Sequence, residues 1–361
     1  MDAFSFGEKF RVSVFGSSHG PHVGVEITGC PSGVMVSEED IQGQLDRRKP
    51  GQSKLTSGRK EEDIAIVESG IENGKTTGGK IRMLVKNKDT ISKHYEEFSK
   101  KPRPGHADYP SVLKYGKVEP GGGFFSGRMT AAFVMAGAVA KKLLEAKGVR
   151  TMAFAASIGK VAVERDVSDE EIVQNTYSNA VHAAAPEAVV AMSNEVEKAR
   201  AEGDSVGGVV ECRVVGLPAG IGEPMFASIE SSIAQAVFGI PAAKGIEFGS
   251  GFAGSFTKGS QNNDEFALKD GKVITRTNNS GGILGGLSVG MPIVFRVAFK
   301  PTSSIFKTQR TVDLQKMEET TLRIAGRHDP CIAIRAVPVV ENVAAFVIAD
   351  VLLANGKGGG A

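Results

Sequence analysis

Short runs of apolar and β-branched residues near the start of the chain predict strands. Residues 10–15 and 23–28 are two such runs, and the polar segment 17–22, SSHGPH, connects them. Segments 63–69 and 80–86 have the same character. Runs of this length bounded by Gly and Pro are typical of strands. The chain is therefore predicted to begin as β structure, with a polar turn between its first two strands.

Further along the chain, apolar residues repeat at helical spacing. From Ala131 to Leu144 they form an Ala-rich stripe that ends at Gly148. Ser37 and Asp40 have the spacing of a capping box, and Pro50 follows the helix that they would begin. The pattern predicts helices over 37–47, 126–148, 186–202, 226–239 and 341–354, a short helix after Ser168, and strands over 151–165, 208–216, 243–248 and 291–299.

These elements do not alternate as regular βα units, which favours an α+β fold with antiparallel strand pairing over a doubly wound sheet. No Pro- or Ser-rich linker divides the sequence, so we expect a single domain over 1–355. The Gly-rich residues 356–361 are expected to be a flexible tail.

Two long stretches, 87–125 and 258–280, show neither the apolar pattern of a strand nor that of a helix and are predicted to be irregular. The first overlaps the segment 101–130, KPRPGHADYPSVLKYGKVEPGGGFFSGRMT, which combines His, Arg, Asp and three consecutive glycines. Long loops rich in Pro and Gly are more often functional than structural. We therefore interpret this segment as part of an anion-binding active site.

Composition narrows the class of protein. The chain has 361 residues, 41% of them hydrophobic, and 43 basic against 41 acidic residues. This balance excludes a general attraction to nucleic acid, so small partners bound by local Arg and Lys are expected. The three cysteines match neither a disulfide framework nor a zinc site, which favours a reducing cytoplasm. No signal peptide and no uninterrupted apolar span of about 20 residues is recognised, so no membrane partner is expected.

Several polar residues are candidates for chemistry. His19 follows a predicted strand in FGSSHG, although a lone His is more often a turn residue bonded to a carbonyl. His106 lies near Arg103 and Asp108, which can set its pKa and tautomer. Asp329, in GRHDP, belongs either to a solvated surface pair or to a preorganised site in which it is a candidate base. No two histidines have metal-binding spacing on a helix.

Three stretches could hold a phosphate: glycines 121–123, SGGILGG at 280–286 and KPTSS at 300–304. Glycine runs expose backbone N–H groups, and helix N-termini add partial positive charge, but glycine runs are also ordinary turns. Together they modestly favour an organophosphate ligand. A competing GxGxxG match at 249–254 is rejected as a dinucleotide motif, because the residues after it lack the apolar period of the required helix.

Long ordered motifs throughout the chain resemble those of the chorismate synthase family. They are FRVSVFGSSHGPHVGVEITGCPSG at 10–33, DRRKPGQSK at 46–54, RPGHADY at 103–109, SGRMTAAFVMAGAVAKK at 126–142, KGIEFGSGF at 244–252, GSQNNDE at 259–265, SGGILGGLSVG at 280–290, KPTSS at 300–304 and GRHDPCIAIRAVPVVENVAA at 326–345. The resemblance implies a β-α-β sandwich of antiparallel sheets with helices between them, usually in a homotetramer.

The resemblance also implies a lyase that converts 5-enolpyruvylshikimate 3-phosphate to chorismate. The reaction is a 1,4-elimination of phosphate that needs reduced FMN without net redox change. By position, His19 would protonate the leaving phosphate, His106 would protonate reduced flavin, and Asp329 would assist removal of the ring hydrogen. NADPH is a possible reductant of the flavin, and a separate flavin reductase is the alternative.

The same resemblance assigns binding residues by position. Those expected around the substrate are Ser18, Arg48, Lys54, Arg103, Arg128 and Arg327. Those expected around FMN are Ser126, Ala242, Gly285, Lys300, Pro301, Thr302, Ser303, Ser304 and Arg327. A substrate with two carboxylates and a phosphate needs several cations, preferably Arg for its bidentate geometry.

The chain departs from the family pattern at several positions. Phe124 and Phe125 stand where Arg and Ser are common, and Pro241 stands where Asn is frequent. Lys54 replaces a common Arg, and Ser17 a common acidic residue. We therefore expect FMN to be held partly by apolar packing on the two Phe rings. A homologue without turnover and, through GSGFAG alone, a nicotinamide oxidoreductase remain as alternatives.

Overall fold

The computed structural model describes residues 2–58, 61–88, 95–326 and 328–356. Its strands are β1 Ser5–Phe6, β2 Arg11–Gly16, β3 His22–Thr28, β4 Ile66–Ser69, β5 Ile71–Glu72, β6 Lys75–Thr76, β7 Ile81–Lys86, β8 Arg150–Ile158, β9 Val161–Ala162, β10 Gly208–Val215, β11 Ala243–Phe248, β12 Phe266–Lys269, β13 Lys272–Thr275, β14 Ile283–Leu284, β15 Leu287–Ser288, β16 Ile293–Phe299, β17 Thr308–Asp313 and β18 Glu318–Arg323. Its α-helices are α1 Glu38–Arg48, α2 Tyr95–Lys100, α3 Asp108–Tyr115, α4 Thr130–Glu145, α5 Asp169–Asn175, α6 Val189–Ala201, α7 Ile229–Val237, α8 Gly251–Gly254, α9 Gly259–Asn262 and α10 Ala333–Ala354.

Two five-stranded sheets form the outer layers of the structure. The first has the strand order β1-β2-β3-β7-β4, and the second has the order β11-β16-β10-β8-β9. Every neighbouring pair in both sheets is antiparallel. In β16 the inward residues alternate with half-buried ones, as expected for a strand with one face on a core.

Two long helices lie between the sheets. Helix α4 packs on β3 and β7 of the first sheet, α10 packs on β8 and β10 of the second, and the two helices pack on each other. Their buried side chains join one apolar cluster with the inward faces of both sheets. The predicted α+β sandwich of antiparallel sheets with helices between them is thereby confirmed.

The stretch 87–125 is more regular than its sequence predicted. Helices α2 and α3 lie within it, so the expectation of an irregular segment was wrong. In the same way, 258–280 contains the hairpin β12–β13. These elements are short, and α3 ends at Gly116 in the left-handed conformation. Periodicity is hard to detect over a single turn or four strand residues, and Pro and Gly nearby obscured it.

Helix α10 begins eight residues earlier than predicted, at Ala333 instead of Glu341. Pro338 lies inside it and made the earlier boundary improbable from sequence. By length and hydropathy α10 could cross a membrane, but 89% of its most apolar window is buried within the structure. It is a core helix, and its N-terminal end reaches the cavity described below.

The crossing of α4 and α10 depends on Gly137. A Cβ at this position would overlap the Cβ and the backbone carbonyl of Asn342, which is itself buried. The close approach of the two backbones therefore requires a residue without a side chain.

Gly137→Ala should lower the free energy of unfolding by about 1–3 kcal/mol, because the added methyl overpacks the helix crossing. Gly43→Ala is the matched control: Gly43 is exposed in α1, and a Cβ there meets nothing within 4 Å. The control should be neutral or stabilising by up to about 1 kcal/mol. Urea denaturation measures both, and equal effects would contradict this account of the crossing.

Candidate active site

A cavity of about 980 Å³ opens where the two sheets and the N-terminal end of α10 meet. Its walls come from the end of α1, the loop before α3, the 3-10 turns at 120–129, the junction of β11 with β16, and the segment before α10. The segment 101–130 that the sequence singled out contributes Arg103, His106 and Arg128 to different walls. Thirteen of the residues expected at a site line the cavity: His19, Arg48, Arg103, His106, Ser126, Arg128, Ala242, Lys300, Pro301, Thr302, Ser303, Ser304 and Asp329.

Three expected residues do not line it. Ser18 is fully buried behind the wall, where its backbone N–H donates to the carbonyl of Gly123. The Lys54 carbonyl accepts a hydrogen bond from Arg200 on α6. Gly285 lies in the turn between β14 and β15. Arg327, expected near both substrate and flavin, lies outside the described residues.

Asp63, which the sequence did not single out, joins two of the expected arginines. Its Oδ2 accepts a 2.8 Å hydrogen bond from Arg48 Nη1, and its Oδ1 accepts one from Arg128 Nη1. All three side chains are almost completely buried. Arg48 Nε also donates to Thr130 Oγ1 at 3.0 Å, and its Nη2 donates to the Gly127 carbonyl at 2.8 Å. The two guanidinium groups are thus fixed before any ligand arrives.

The electrostatics of this triad follow from its burial. Burial raises the pKa of Asp63, but the charges of Arg48 and Arg128 outweigh that effect and hold it below its usual value. Burial also lowers the pKa of Arg48, and Asp63 opposes this shift. Arg128 Nη2 also lies 4.0 Å from Oε2 of the buried Glu61, so the two guanidinium groups are paired with two buried carboxylates.

A second carboxylate, Asp108, organises the opposite wall. Arg103 donates to it in a bidentate manner, with Nε and Nη2 each 2.7 Å from a carboxylate oxygen. His106 Nδ1 lies 2.9 Å from Asp108 Oδ1. Arg103 Nη2, which can only donate, lies 3.1 Å from the same Nδ1, so this nitrogen is placed between a carboxylate acceptor and a guanidinium donor. Burial raises the pKa of Asp108, but its contacts with Arg103 and His106 outweigh that effect. The pKa is therefore held well below its usual value, and the carboxyl stays ionised.

Asp329 is held by both of its carboxylate oxygens. Oδ1 accepts a 2.7 Å hydrogen bond from the Ser57 backbone N–H, and Oδ2 accepts one of 2.7 Å from Arg335 Nη1. Arg335 lies on the first turns of α10 and also donates to the Arg48 carbonyl at 3.1 Å. The two bonds to its oxygens hold the Asp329 carboxylate, whose side chain is 11% exposed, in one orientation. Arg335, which was not among the candidates from sequence, is the residue that links Asp329 to α1.

His19 and His328 complete the imidazoles in the cavity wall. A Cβ on Gly121 would overlap the His19 ring, and Gly121 has φ +66°, so glycine is needed there on both grounds. For His328, burial lowers the pKa of the imidazole, and the nearby Arg103 lowers it further. Neutral His328 is therefore favoured at pH 7.

Aromatic rings form the rim of the cavity beside the glycine turn. Phe124 and Phe125 have centroids 4.6 Å apart, and Phe124 also makes edge contacts with Tyr115 at 5.3 Å and Phe4 at 5.6 Å. Phe124 is half-buried and Phe125 is exposed. The rim therefore presents apolar ring surfaces, with Phe124 and Phe125 tilted by 51° to each other, against which a planar ligand could pack.

The remaining wall is a polar loop at the end of β16. Lys300 Nζ donates to the Gly105 carbonyl at 2.9 Å and to Ser303 Oγ, which ties this loop to that of His106. Thr302 Oγ1 donates to the Asp329 carbonyl at 2.7 Å. The third phosphate cradle predicted from sequence thus lies in the cavity, whereas the glycines at 280–286 do not line it.

The motif GSGFAG at 249–254 does not form a dinucleotide site. It follows the edge strand β11 of an antiparallel sheet and opens into α8, a helix of four residues. A dinucleotide-binding turn needs a parallel βαβ unit and a longer helix at whose N-terminus the pyrophosphate binds. The rejection of this motif is therefore consistent with the structure.

Asp63→Asn should lower the free energy of unfolding by about 3–5 kcal/mol at pH 7, because two buried guanidinium groups lose their shared counter-ion. Asp204→Asn, which removes the carboxylate partner of Lys307 at the surface, is the control. It should lower the free energy of unfolding by less than about 1 kcal/mol. Since the native pKa of Asp63 lies below the unfolded value of 3.8, its contribution is complete above that pH. The difference from wild type should therefore narrow as pH falls below 3.8, and a constant difference in denaturation between pH 7 and 3 would contradict the account.

Known proteins match this chain over nearly its whole length. The family model described as chorismate synthase matches residues 10–353. The chain is 48% identical over 356 residues to a chorismate synthase of Korarchaeum cryptofilum, with 98% of each chain covered. It is 50% identical over 349 residues to one of Thermococcus kodakarensis, covering 96% of this chain and 97% of that one.

A solved chorismate synthase crystal structure is also similar, with a TM-score of 0.77 and 29% identity. The match covers 98% of this chain and 94% of the solved one. Sequence motifs, fold and relatives therefore agree. This chain belongs to the chorismate synthase family, and its function is the carbon–oxygen lyase step that this family performs in aromatic amino acid biosynthesis.

Proposed function

We propose that the cavity between Arg48, Arg103 and Arg128 binds 5-enolpyruvylshikimate 3-phosphate and eliminates its phosphate to give chorismate, with reduced FMN bound alongside. This proposal rests on one observation: three buried arginines line the same cavity. Each is oriented by a buried carboxylate, so little reorganisation is needed when a polyanion binds.

The cations suit the charge of the substrate. Two carboxylates and one phosphate require several donors, and guanidinium groups bind such anions in a bidentate manner. At least three of the five N–H donors of Arg48 are used within the protein, which fixes its plane. Arg48 and Arg128 together supply the charge, while Asp63 supplies the geometry.

The size and lining of the cavity suit a flavin as well. Pockets for one small ligand are about 300–1,000 Å³, and this cavity lies at the upper end of that range. Ser126, Ala242 and the loop 300–304 provide polar contacts, and Phe124 and Phe125 offer an apolar surface. When bound, reduced FMN supplies electron density to the electron-poor substrate as phosphate departs.

Three side chains are proposed to handle protons. His19, beside the glycine turn, holds the proton that makes the phosphate a better leaving group. His106, whose Nδ1 lies between Asp108 and Arg103, protonates reduced flavin. Asp329, held by Ser57 and Arg335, is oriented for removal of the ring hydrogen.

We further propose a cytoplasmic homotetramer of single-domain subunits over 1–355. Of the expected Gly-rich tail 356–361, residues 357–361 lie outside the described part of the chain. Association is supported by large exposed apolar side chains, among them Phe226, which is 97% exposed, and Phe256, which is 90% exposed. The flavin is reduced either by NADPH on this chain or by a separate flavin reductase. Nucleic acid and membrane are not expected as partners.

Wild-type protein mixed anaerobically with reduced FMN and substrate should release phosphate and chorismate in equal amounts. His19→Gln, His106→Gln and Asp329→Asn should each lower kcat by about 10²–10⁴-fold, because each removes one proton-handling group. His22→Gln is the control, since His22 lies on β3 outside the cavity. No turnover by wild type would leave the homologue without turnover as the better description, and variants at full rate would overturn the assigned roles instead.

Phe124→Ala should weaken binding of FMN by about three- to tenfold, the loss expected for one aromatic packing contact. Titration of flavin fluorescence measures this affinity. Phe266→Ala provides a control, because Phe266 on β12 is 64% exposed and lies outside the cavity. Unchanged affinity in Phe124→Ala would contradict the proposal that FMN packs on this rim.

A further inference from the structure

Lys244 lies on the cavity wall with no role assigned to it so far. It is exposed near the start of β11, and Lys300 lies at the end of the neighbouring strand β16. Both residues line the cavity. Within the described part of the chain, neither lysine has a carboxylate at ion-pair distance. Two ammonium groups are therefore placed together without an internal counter-ion.

The backbone at this point is irregular in a way that redirects Lys244. Ala243 pairs with Phe299 and Gly245 pairs with Ala298, so Lys244 is an extra residue in the ladder between β11 and β16. Such a bulge bends the strand and re-aims a side chain, and bulges are frequent beside active sites. Without it, the side chain would follow the regular alternation of the edge strand.

Ala242, directly before the strand, is also unusual. It has φ +71°, which residues other than glycine rarely adopt. Its carbonyl accepts a 3.1 Å hydrogen bond from the Lys300 backbone N–H, so the strained residue joins the two strand ends. Strain of this kind costs about 1–3 kcal/mol and is found mainly at functional sites. Here it fixes Lys300 next to the bulge that carries Lys244.

Lys300 has donor capacity left for a ligand. An ammonium group has three N–H donors, and Lys300 uses two of them on Gly105 and Ser303. Burial lowers the pKa of Lys300, and the positive charge of Lys244 lowers it further. An anion between the two lysines would relieve this repulsion and favour the charged form of Lys300.

We propose that Lys244 and Lys300 form a two-cation subsite at the cavity mouth that binds a phosphate monoester dianion. Lys244 is the specificity-determining member, because Lys300 is partly engaged by the loop. The proposal rests on the proposed function, in which the ribityl phosphate of FMN is the group that the subsite holds. The phosphate of the substrate is the other possible source of the same chemistry, and the test separates the two.

The test compares ligands with and without the phosphate on wild type, Lys244→Met and Lys244→Arg. Lys244→Met should weaken the binding of oxidised FMN by about tenfold, the loss expected for one charge-assisted contact. Riboflavin, which lacks the phosphate, should bind all three proteins alike, and Lys244→Arg should retain most of the affinity for FMN. Lys272→Met, on the exposed hairpin β12–β13, is the matched control and should bind both flavins as wild type does.

Further arms use the substrate and inorganic phosphate. Binding of 5-enolpyruvylshikimate 3-phosphate is measured without reductant. If Lys244→Met weakens this binding and leaves the affinity for FMN unchanged, the subsite holds the substrate phosphate. The subsite is overturned if Lys244→Met weakens the binding of FMN and of riboflavin equally. It is also overturned if Lys244→Met changes the affinity for neither flavin and not for the substrate. If wild type binds neither flavin, the proposed cofactor fails, and calorimetry with inorganic phosphate decides: loss of phosphate binding in Lys244→Met supports the subsite, and unchanged binding overturns it.

Discussion

The buried ion pair of Asp63 with Arg48 and Arg128 is the interaction on which the site depends. It joins the end of α1 to the turn before α4, two elements that the sequence separates by about 80 residues. Buried charges are tolerated only when they are paired and hydrogen-bonded, and every member of this triad meets that condition. Pairing and hydrogen bonding thus offset the cost of burying these charges and fix both guanidinium groups at the cavity.

The other walls repeat the same arrangement with other partners. Asp108 orients Arg103 and His106, and Arg335 orients Asp329. In each case a charged partner fixes a group that lines the cavity, and Arg335 lines the cavity as well. Such preorganisation suits a reaction in which charge moves onto a leaving phosphate, because the protein dipoles need not reorient at that moment. Helix α10 connects these walls, since it carries Arg335 and packs against α4 at Gly137.

Much of the fold could be predicted from local signals. Residues 10–15 and 23–28 form β2 and β3 as their patterns indicated, and the capping box of Ser37 and Asp40 is present at the start of α1. Helices α2 and α3 were missed because a Pro- and Gly-rich context hid short elements. The start of α10 was missed because Pro338 suggested a boundary that the packed core overrides.

The site was predictable where residue types and neighbours carried information. His106 with Arg103 and Asp108 was such a case, because the three lie within six positions. Asp63 was not predictable, since its role depends on partners that only the tertiary structure brings together. Arg335 did carry a signal, because a charged residue within an otherwise apolar helical run is rarely buried without a partner. Lys244 depends on a bulge that no sequence pattern revealed.

The central claim is that this cavity performs phosphate elimination with a flavin that is required but not consumed. It is tested most directly by anaerobic turnover with far less reduced FMN than substrate, recording phosphate, chorismate and the flavin absorbance together. The account predicts many equivalents of phosphate and chorismate per flavin, in equal amounts, with the flavin still reduced at the end. Product limited to one equivalent per flavin, with the flavin oxidised in step, would contradict it.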